Sequence, residues 1–559
     1  MIGEFLDVLD PADIHVAQRL SALGDESDER VALAIALVVR ALRAGSVCVE
    51  LNSVAEEVGV PELMAAVEAS PLTGSPPVLR VHDGLLYFDR YWREEQQVAD
   101  DLLAMLPRRA SGAMPDVGRL FPKGFEEQRE AAEIALSQGL TVLTGGPGTG
   151  KTTTVARLLA LFAEQAELAG HPRVRIALAA PTGKAAARLQ EAVQLEVDRL
   201  DAADKKRLEG LQATTLHRLL GWRPDTSSRF RHHRGNRLPH DVIVVDETSM
   251  VSLTMMARLL EAVRPETRLV LVGDPDQLAS VEAGAVLADV VDGLALRDDA
   301  RIAALLTSHR FGKSIGELAT AIRVGDTDRV VDVLRAGGEH IEWIESEDPT
   351  DRVRKVVEPH ALRLRQAAVL GDAAAALATL DEHRLLCAHR RGPYGVAHWN
   401  RQVERWLTEA TGEPIWSSWY AGRPVLVTAN DYGLRLFDGD TGVTVLDNSG
   451  VLRAVIIGST ERLVFATSRL ADVETMHAMT IHKSQGSQAR EVTVLMPPEE
   501  SRLLTRELFY TAVTRAKEKI RVVGPEASVR AAVERRAVRA SGLAKRLVGG
   551  MPPRRVNTC

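Results

Sequence analysis

The segment Thr144-Gly-Gly-Pro-Gly-Thr-Gly-Lys-Thr152 constrains this chain more than any other, because nearly every position in it has a physical role. Ahead of it, the apolar run Leu140 to Leu143 predicts a strand. After it, Val155, Leu158, Leu159 and Phe162 recur at helical spacing and predict the buried stripe of a helix. Strand, glycine loop and helix N-terminus together form an anion cradle. Glycines let backbone N–H groups approach phosphates, and the helix dipole favours negative charge there. The candidate nucleotide contacts are Gly145, Gly146, Pro147, Gly148, Thr149, Gly150, Lys151, Thr152 and Thr153. Lys151 is expected on the β- and γ-phosphates, and the Thr152 hydroxyl on Mg²⁺. The bland alternative, a glycine-rich turn with a chance lysine, does not account for the flanking strand and helix. The segment implies binding of a nucleoside triphosphate.

Two further strands end in polar groups. Val242-Ile-Val-Val-Asp246-Glu247 is a continuous β-branched run, as expected of a strand buried on both faces of a parallel sheet. Asp246 at its tip is placed for the Mg²⁺ shell, and Glu247 to orient or deprotonate an attacking water. The apolar run Leu269 to Val272 leads into Gly273-Asp-Pro-Asp-Gln277, where Gln277 is a candidate sensor of the γ-phosphate. A solvated loop acid is the ordinary reading of each carboxylate. Their position at strand tips, the edge where open α/β sheets bind ligands, weighs against it.

Taken in order, the motifs resemble those of superfamily-one helicases. Phe125-Glu-Glu-Gln128 is similar to that superfamily's adenine-reading glutamine motif. Leu178-Ala-Ala-Pro-Thr182-Gly-Lys184-Ala-Ala-Ala-Arg188 and Ala213-Thr-Thr215-Leu-His217 resemble its first two strand-contacting motifs. Ser308-His-Arg310-Phe resembles the motif carrying one arginine finger. Met479-Thr480-Ile-His482-Lys483-Ser-Gln485-Gly486 and Tyr510-Thr-Ala-Val-Thr-Arg515 resemble the last two, with Arg515 as the second finger. Thr248-Ser249-Met250 after the carboxylates, and Arg423 to Gly442, resemble the RecD branch, whose members move 5′ to 3′ on single-stranded DNA. The resemblance implies ATP and Mg²⁺ as cofactors and ATP hydrolysis coupled to unwinding. It also implies Thr182, Lys184, Thr215, His217, Thr480 and His482 as DNA contacts, accepted only as a set. The implied partners are single-stranded DNA, double-stranded DNA ends, and RecB-like and RecC-like subunits of a heterotrimer acting in recombinational repair. A stand-alone 5′ to 3′ helicase is the alternative; the longer relatives of that kind carry an extended N-terminal region for which about 110 residues leave little room. A non-catalytic scaffold is a third reading, opposed by the intact Lys151, Asp246, Glu247 and Arg515. No nuclease cluster of metal-binding acids is apparent.

The resemblance implies an α/β fold with two RecA-like motor domains built on parallel sheets. Residues 1–110 are expected to form a small, mostly helical domain that docks partners, with a helix over Val31–Leu42 stopped near Gly45. Residues 111–311 would be the first motor domain, 312–411 and 476–540 the second, and 541–559 a tail. A strand-rich insertion at 412–475, SH3-like by resemblance, contains a predicted hairpin across Asn448–Gly450. Ala368–Leu380 is alanine-rich and expected to be helical, with no sign of function. Gly221–His240 carries Arg223, Arg229, Arg231, Arg234 and Arg237 against the single acid Asp225. Two readings of that segment stand, a solvated basic hairpin and a pin at the strand fork.

Composition excludes little. A net charge of −7 argues against a passive DNA-coating protein but not against a motor with a local basic track. Cys48, Cys387 and Cys559 are too few and too scattered for a disulfide framework or zinc site and are expected to be buried thiols. The acidic N-terminus has no signal-peptide pattern, and Val31 to Val39 is too short to span a bilayer, so the expectation is a cytoplasmic protein with no membrane association.

Overall fold

The computed structural model describes residues 9–107, 113–171, 173–223, 230–300, 302–307, 313–346, 348–431, 433–458 and 462–549. The N-terminal region packs helices Pro11–Leu23 and Glu29–Arg43 against each other. The second is capped by Asp28, which accepts from the Arg30 N–H at 2.9 Å, and it ends just before Gly45 in the left-handed region. Helices are joined there by a sheet: β1 (Cys48–Glu50), β2 (Leu79–His82) and β3 (Leu85–Phe88) pair antiparallel in the order β1-β3-β2. The region is mostly helical, as expected, and the small sheet is an addition to it. The missed signal is Asp83-Gly84, both at positive φ (52° and 76°), the two-residue turn that matches strand twist.

The first large α/β domain contains β4 (Leu140–Gly145), β5 (Ile176–Ala180), β6 (Ala213–Thr215), β7 (Val242–Val245), β8 (Arg268–Gly273) and β9 (Ile302–Leu305). They pair in the order β6-β5-β7-β8-β4-β9, every neighbour parallel. Both faces are buried, which is why the strands read as unbroken apolar runs. On β7, Ile243 and Val245 enter one core, while Val242 and Val244 enter the other with Val155, Leu158, Leu159 and Phe162.

The chain then forms β10 (Ile341–Ile344) and β11 (His383–Cys387) and detours through β12 (Pro424–Val427), β13 (Thr441–Leu446), β14 (Leu452–Ile457), β15 (Arg462–Ala466) and β16 (Val473–Thr475). It returns as β17 (Ala478–Thr480), β18 (Ala489–Leu495) and β19 (Ala516–Val523). The second large sheet is parallel, in the order β10-β19-β18-β11-β17. The detour is an antiparallel sheet of order β15-β14-β13-β12-β16, with β13 and β14 paired through Leu446 and Leu452 about the expected turn. Val425, Val427 and Ile456 form its own small core, while Val443, Val445 and Val455 join Leu377 and Leu380 in the core of the second domain.

Three boundaries differ from expectation. The alanine-rich stretch is two helices, Thr350–Val369 and Ala373–Glu382, separated at Gly371 (φ 74°) and restarted by Asp372, which accepts from the Ala375 N–H. Helix Asp89–Leu103 lies inside the expected N-terminal domain, yet Val98, Leu102 and Leu106 share a core with Met256 and Leu260 of the first α/β domain. Residues 541–559 are not a tail throughout: helix Leu543–Gly549 buries Leu543 and Leu547 one turn apart in that same core. Arg297 fastens it by donating to the Leu547 carbonyl at 2.7 Å. Cys48 and Cys387 are buried free thiols, and no helix among the described residues is long and apolar enough to cross a membrane.

A buried ion pair closes this arrangement. Glu95, fully buried, accepts from Arg546 Nε at 2.8 Å, the Gly542 N–H at 3.0 Å and the Tyr87 hydroxyl at 3.1 Å. Removing one partner of such a pair leaves the other charge buried and costs about 3–5 kcal/mol. Glu95→Ala is therefore expected to lower the first unfolding midpoint in a urea titration, and Glu95→Ala with Arg546→Met to regain much of it. A midpoint unchanged in the single variant would exclude the pair as a tie between the chain's two ends.

Candidate functional site

β4 delivers the glycine loop to the carboxyl edge of the first sheet. Gly148 (φ 82°) and Gly150 (φ 89°) adopt left-handed conformations that open the loop, and Gly150 caps helix Lys151–Leu168. Gly145 is needed for close approach, since a Cβ there would lie 2.6 Å from Thr149 Oγ1 and 2.8 Å from the Leu305 carbonyl. Lys151 Nζ donates to the carbonyls of Gly145 (2.6 Å) and Gly146 (3.0 Å), which hold the ammonium across the loop. Gln128, buried, donates to the Thr149 carbonyl at 3.3 Å. Pro147 lies in the loop, and Thr152 and Thr153 stand in the first turn of the helix behind it.

Asp246 follows β7 directly. Its N–H donates to the Ala179 carbonyl at 2.9 Å, and the next N–H, of Glu247, donates to Asp246 Oδ1 at 2.9 Å. Glu247 sits at φ 51°, a left-handed conformation that costs a non-glycine residue about 1–3 kcal/mol and is typical of functional turns. Burial pushes the Asp246 carboxyl up, reinforced by the Glu247 charge, while Lys151 and Arg188 oppose the shift. The two acids, Lys151 and Arg188 therefore share one electrostatic environment. Thr152 and Asp246 offer hard oxygen donors, with a second carboxylate at Glu247, which fits Mg²⁺, an ion usually held by one or two protein oxygens plus phosphates and water.

β8 brings Asp274 and Gln277 to the same edge, and the second domain meets them. Gln277 Nε2 donates to Asp274 Oδ2 at 2.9 Å, and Gln277 Oε1 accepts from Arg515 Nη2 at 3.0 Å. Arg515 is 3% exposed and also donates to the carbonyls of Thr511 (3.2 Å) and Ser487 (3.3 Å). Burial lowers its pKa, and the Glu247 carboxylate counters that. Tyr510 donates to Asp274 Oδ2 at 3.1 Å, and its hydroxyl lies 3.0 Å from where a Cβ on Gly146 would be. Tyr510 and Arg323 line a cavity of about 40 Å³ beside Gly146, Pro147 and Thr149. Tyr510 lies inside a motif the sequence analysis singled out but had no assigned contact; Arg323 belongs to no motif and carried no signal. Arg310 lies outside the described residues.

Four of the strand-contact candidates, Thr182, Lys184, Thr215 and His217, follow or end β5 and β6 at the other end of the first sheet. Thr182 follows β5 and Thr215 ends β6, its neighbour in register through Ala180 and Thr215. Both hydroxyls cap helices, accepting from the Ala185 and Arg218 N–H groups at 3.2 Å. His217 lies against the Phe230 ring at 5.8 Å, and burial lowers its pKa. Thr480 ends β17 on the edge of the second sheet and accepts from the Lys483 N–H; His482 beside it is lowered by burial. Lys184 is pushed down to about 8 by burial and by Arg384, with Asp381 and Asp440 acting against that.

The insertion covers this end. Phe437 sits so close to Gly183 that a Cβ there would meet it at 2.9 Å, and Lys483 Nζ pairs with both Asp438 oxygens at 2.7 and 2.9 Å. In the basic segment, bridges Trp222–Phe230 and His233–Asn236 form a hairpin base. Arg234 pairs with Asp101 at 2.8 Å, and Arg237 donates to the Val263 carbonyl at 2.6 Å, so these two arginines are anchored to the domain. Residues 224–229, with Asp225 and Arg229, lie outside the described residues.

Lys151 and Glu247 are chemically distinct, so their losses should differ. Lys151→Ala is expected to weaken nucleotide affinity by about tenfold or more, as loss of a charge-assisted contact implies. Glu247→Gln is expected to bind ATP normally and hydrolyse it roughly 10²–10⁴-fold more slowly. Equilibrium binding of a fluorescent ATP analogue beside steady-state phosphate release separates the two, and near-wild-type turnover in either variant refutes its assignment.

The chain is similar in sequence to known proteins. The AAA domain family matches residues 128–283, the UvrD-like helicase C-terminal domain 475–523, and the RecBCD enzyme subunit RecD N-terminal domain 6–80. The chain is 72% identical to the RecBCD enzyme subunit RecD of Mycolicibacterium smegmatis, covering 98% of this chain and 99% of that protein. It is 70% identical to the subunit of the same name from Mycobacterium tuberculosis strain H37Rv, covering 97% and 95%. With the ATP-dependent RecD2 DNA helicase of Deinococcus radiodurans it shares 31% identity over 83% of this chain and 59% of that protein. Identity of this extent over nearly the whole length shows that the chain belongs to the RecD family of RecBCD enzyme subunits, within helicase superfamily 1.

Proposed function

We propose that this chain is an ATP-driven DNA motor that moves 5′ to 3′ on single-stranded DNA as the RecD-type subunit of a heterotrimer with RecB-like and RecC-like chains, acting at double-stranded DNA ends. The observation that supports it most is the contact of Arg515 on the second domain with Gln277 on the first, beside the acids and the phosphate loop. A nucleotide in that cleft would touch groups from both domains, so its turnover would alter their separation. Thr152 and Asp246 would hold Mg²⁺, which supplies neutralising charge to the phosphates. Glu247 orients water and accepts its proton, Lys151 neutralises phosphate oxygens, and Gln277 reports the terminal phosphate. Arg515 stabilises the charge of the transferring phosphoryl group, a role worth about 10³–10⁵ in rate. Arg310 is assigned the same kind of role by resemblance.

Sheet order supports the proposed DNA track. β6 and β5 carry Thr182, Lys184, Thr215 and His217 at one end of the first sheet, while β7, β8 and β4 carry the nucleotide groups. Thr480 and His482 supply the facing rim of the second. The N-terminal region ahead of helix Asp89–Leu103 is assigned to partner docking. The relatives' name, RecBCD enzyme subunit RecD, supports that partnership. Polarity-defined unwinding tests the reading: with ATP and Mg²⁺ the intact chain should displace duplexes bearing a 5′ tail and leave those with only a 3′ tail. Unwinding from the 3′ tail would refute the direction. Failure to co-purify with co-expressed RecB-like and RecC-like chains would leave a stand-alone helicase as the better reading.

The insertion generates a second expectation. Asp438 neutralises Lys483 beside the proposed track, at a pair whose side chains are 45% and 30% exposed. A partly exposed pair is worth up to about 1 kcal/mol, so Asp438→Asn should tighten binding of oligothymidylate by roughly two- to fivefold. Fluorescence anisotropy at two salt concentrations measures this. Weaker binding in the variant would mean that the pair supports the track rather than competing with phosphate.

A further inference from the structure

Arg188 touches both α/β domains and has no role in the assignments above. It stands on helix Gly183–Val197, whose N-terminal end carries the strand-contact candidates Thr182 and Lys184. From there it crosses to the second domain, donating through Nη1 to the Gly486 carbonyl at 3.3 Å and through Nη2 to Gln488 Oε1 at 2.8 Å. The first turn of the same helix packs on that loop, since a Cβ on Gly486 would make ordinary contact with Ala185 at 3.6 Å. Gln488 continues inward, with its Nε2 donating to the carbonyl of Thr514 at 3.4 Å, one residue before Arg515. Arg515 in turn donates to the carbonyl of Ser487, between Gly486 and Gln488. One short loop, Gly486 to Gln488, is thus bonded by both Arg188 and Arg515.

We propose that Arg188 is a positioning residue that couples the two sites: through Gly486 and Gln488 it sets where Arg515 stands relative to Gln277, according to how the Thr182–Lys184 turn is held by a bound strand. The physical basis is the planar fork of arginine, which satisfies two acceptors at once and fixes the angle between the elements bearing them. A turn shifted by a strand carries Arg188 with it, because both belong to one rigid helix. The loop then shifts Arg515 toward or away from the cleft. This inference rests on the reading of the chain as a DNA-stimulated ATPase.

The test uses the full chain with oligothymidylate as the strand. ATP turnover is measured with and without the oligonucleotide, and oligonucleotide affinity with and without a non-hydrolysable ATP analogue. Arg188→Ala should reduce the stimulated-to-basal ratio by about tenfold, the size of one lost charge-assisted hydrogen bond, while affinity without nucleotide changes less than about twofold. Gln488→Ala should do the same, and the double variant no more than either alone. Arg188→Lys, which keeps the charge but loses the fork, should recover only part of the stimulation; it also keeps the test decisive if the alanine variant folds poorly. A wild-type ratio in Arg188→Ala, or additive losses in the double variant, overturns the relay. An affinity loss without nucleotide as large as the turnover loss makes Arg188 a strand contact instead. A wild-type chain with no DNA-stimulated turnover would refute the underlying ATPase reading, an outcome distinct from a failure of Arg188 alone.

Discussion

Parallel strands buried on both faces leave a chain few places to put chemistry. Side chains of β7 and β8 alternate into two apolar cores, so polar groups can emerge only where the strands end. All connections are parallel, and every strand therefore ends on the same edge. The phosphate loop, Asp246, Asp274, Thr182 and Thr215 are neighbours for this reason alone. Their lateral order is the strand order, with the nucleotide candidates central and the strand candidates toward β6.

The second consequence is that buried polar groups bridge the two domains. Arg515 is almost fully buried, and its charge is tolerable only because Gln277, Thr511 and Ser487 supply acceptors. Asp274 receives both Gln277 and Tyr510, so a single carboxylate holds one partner from each domain. Networks of this kind fix a geometry more than they add stability, since desolvation offsets much of their attraction.

The insertion and the chain ends show how connectivity is used for support. The insertion places Val443 and Val455 in the second domain's core, and its loop lays Phe437 over Gly183 of the first and Asp438 on Lys483 of the second. The C-terminal helix returns to the first domain, where Leu543 and Leu547 fill a core shared with Val98 and Leu102. Helix Asp89–Leu103 belongs structurally with that domain, although composition alone sets the break after it, at the turn-rich stretch near residue 110. An amphipathic helix states that it has a partner but not which one.

The sequence by itself determined what depends on neighbours along the chain. The glycine loop between strand and helix, the acids at a strand tip, and the hairpin at Asp447 to Val451 are set by local backbone geometry and side-chain period. Motif order likewise made the family legible. What it could not determine is which distant groups meet. Arg188 and Gly486 lie 298 residues apart, Arg515 and Gln277 lie 238 apart, and nothing local in either segment specifies the other. Nor could it tell that Thr182 and Thr215 cap helices, that Lys184 is buried enough to lose part of its basicity, or that Lys483 already has a carboxylate partner. Those outcomes depend on how two sheets and an insertion pack, because burial and pairing are properties of the assembled surface and not of the segment.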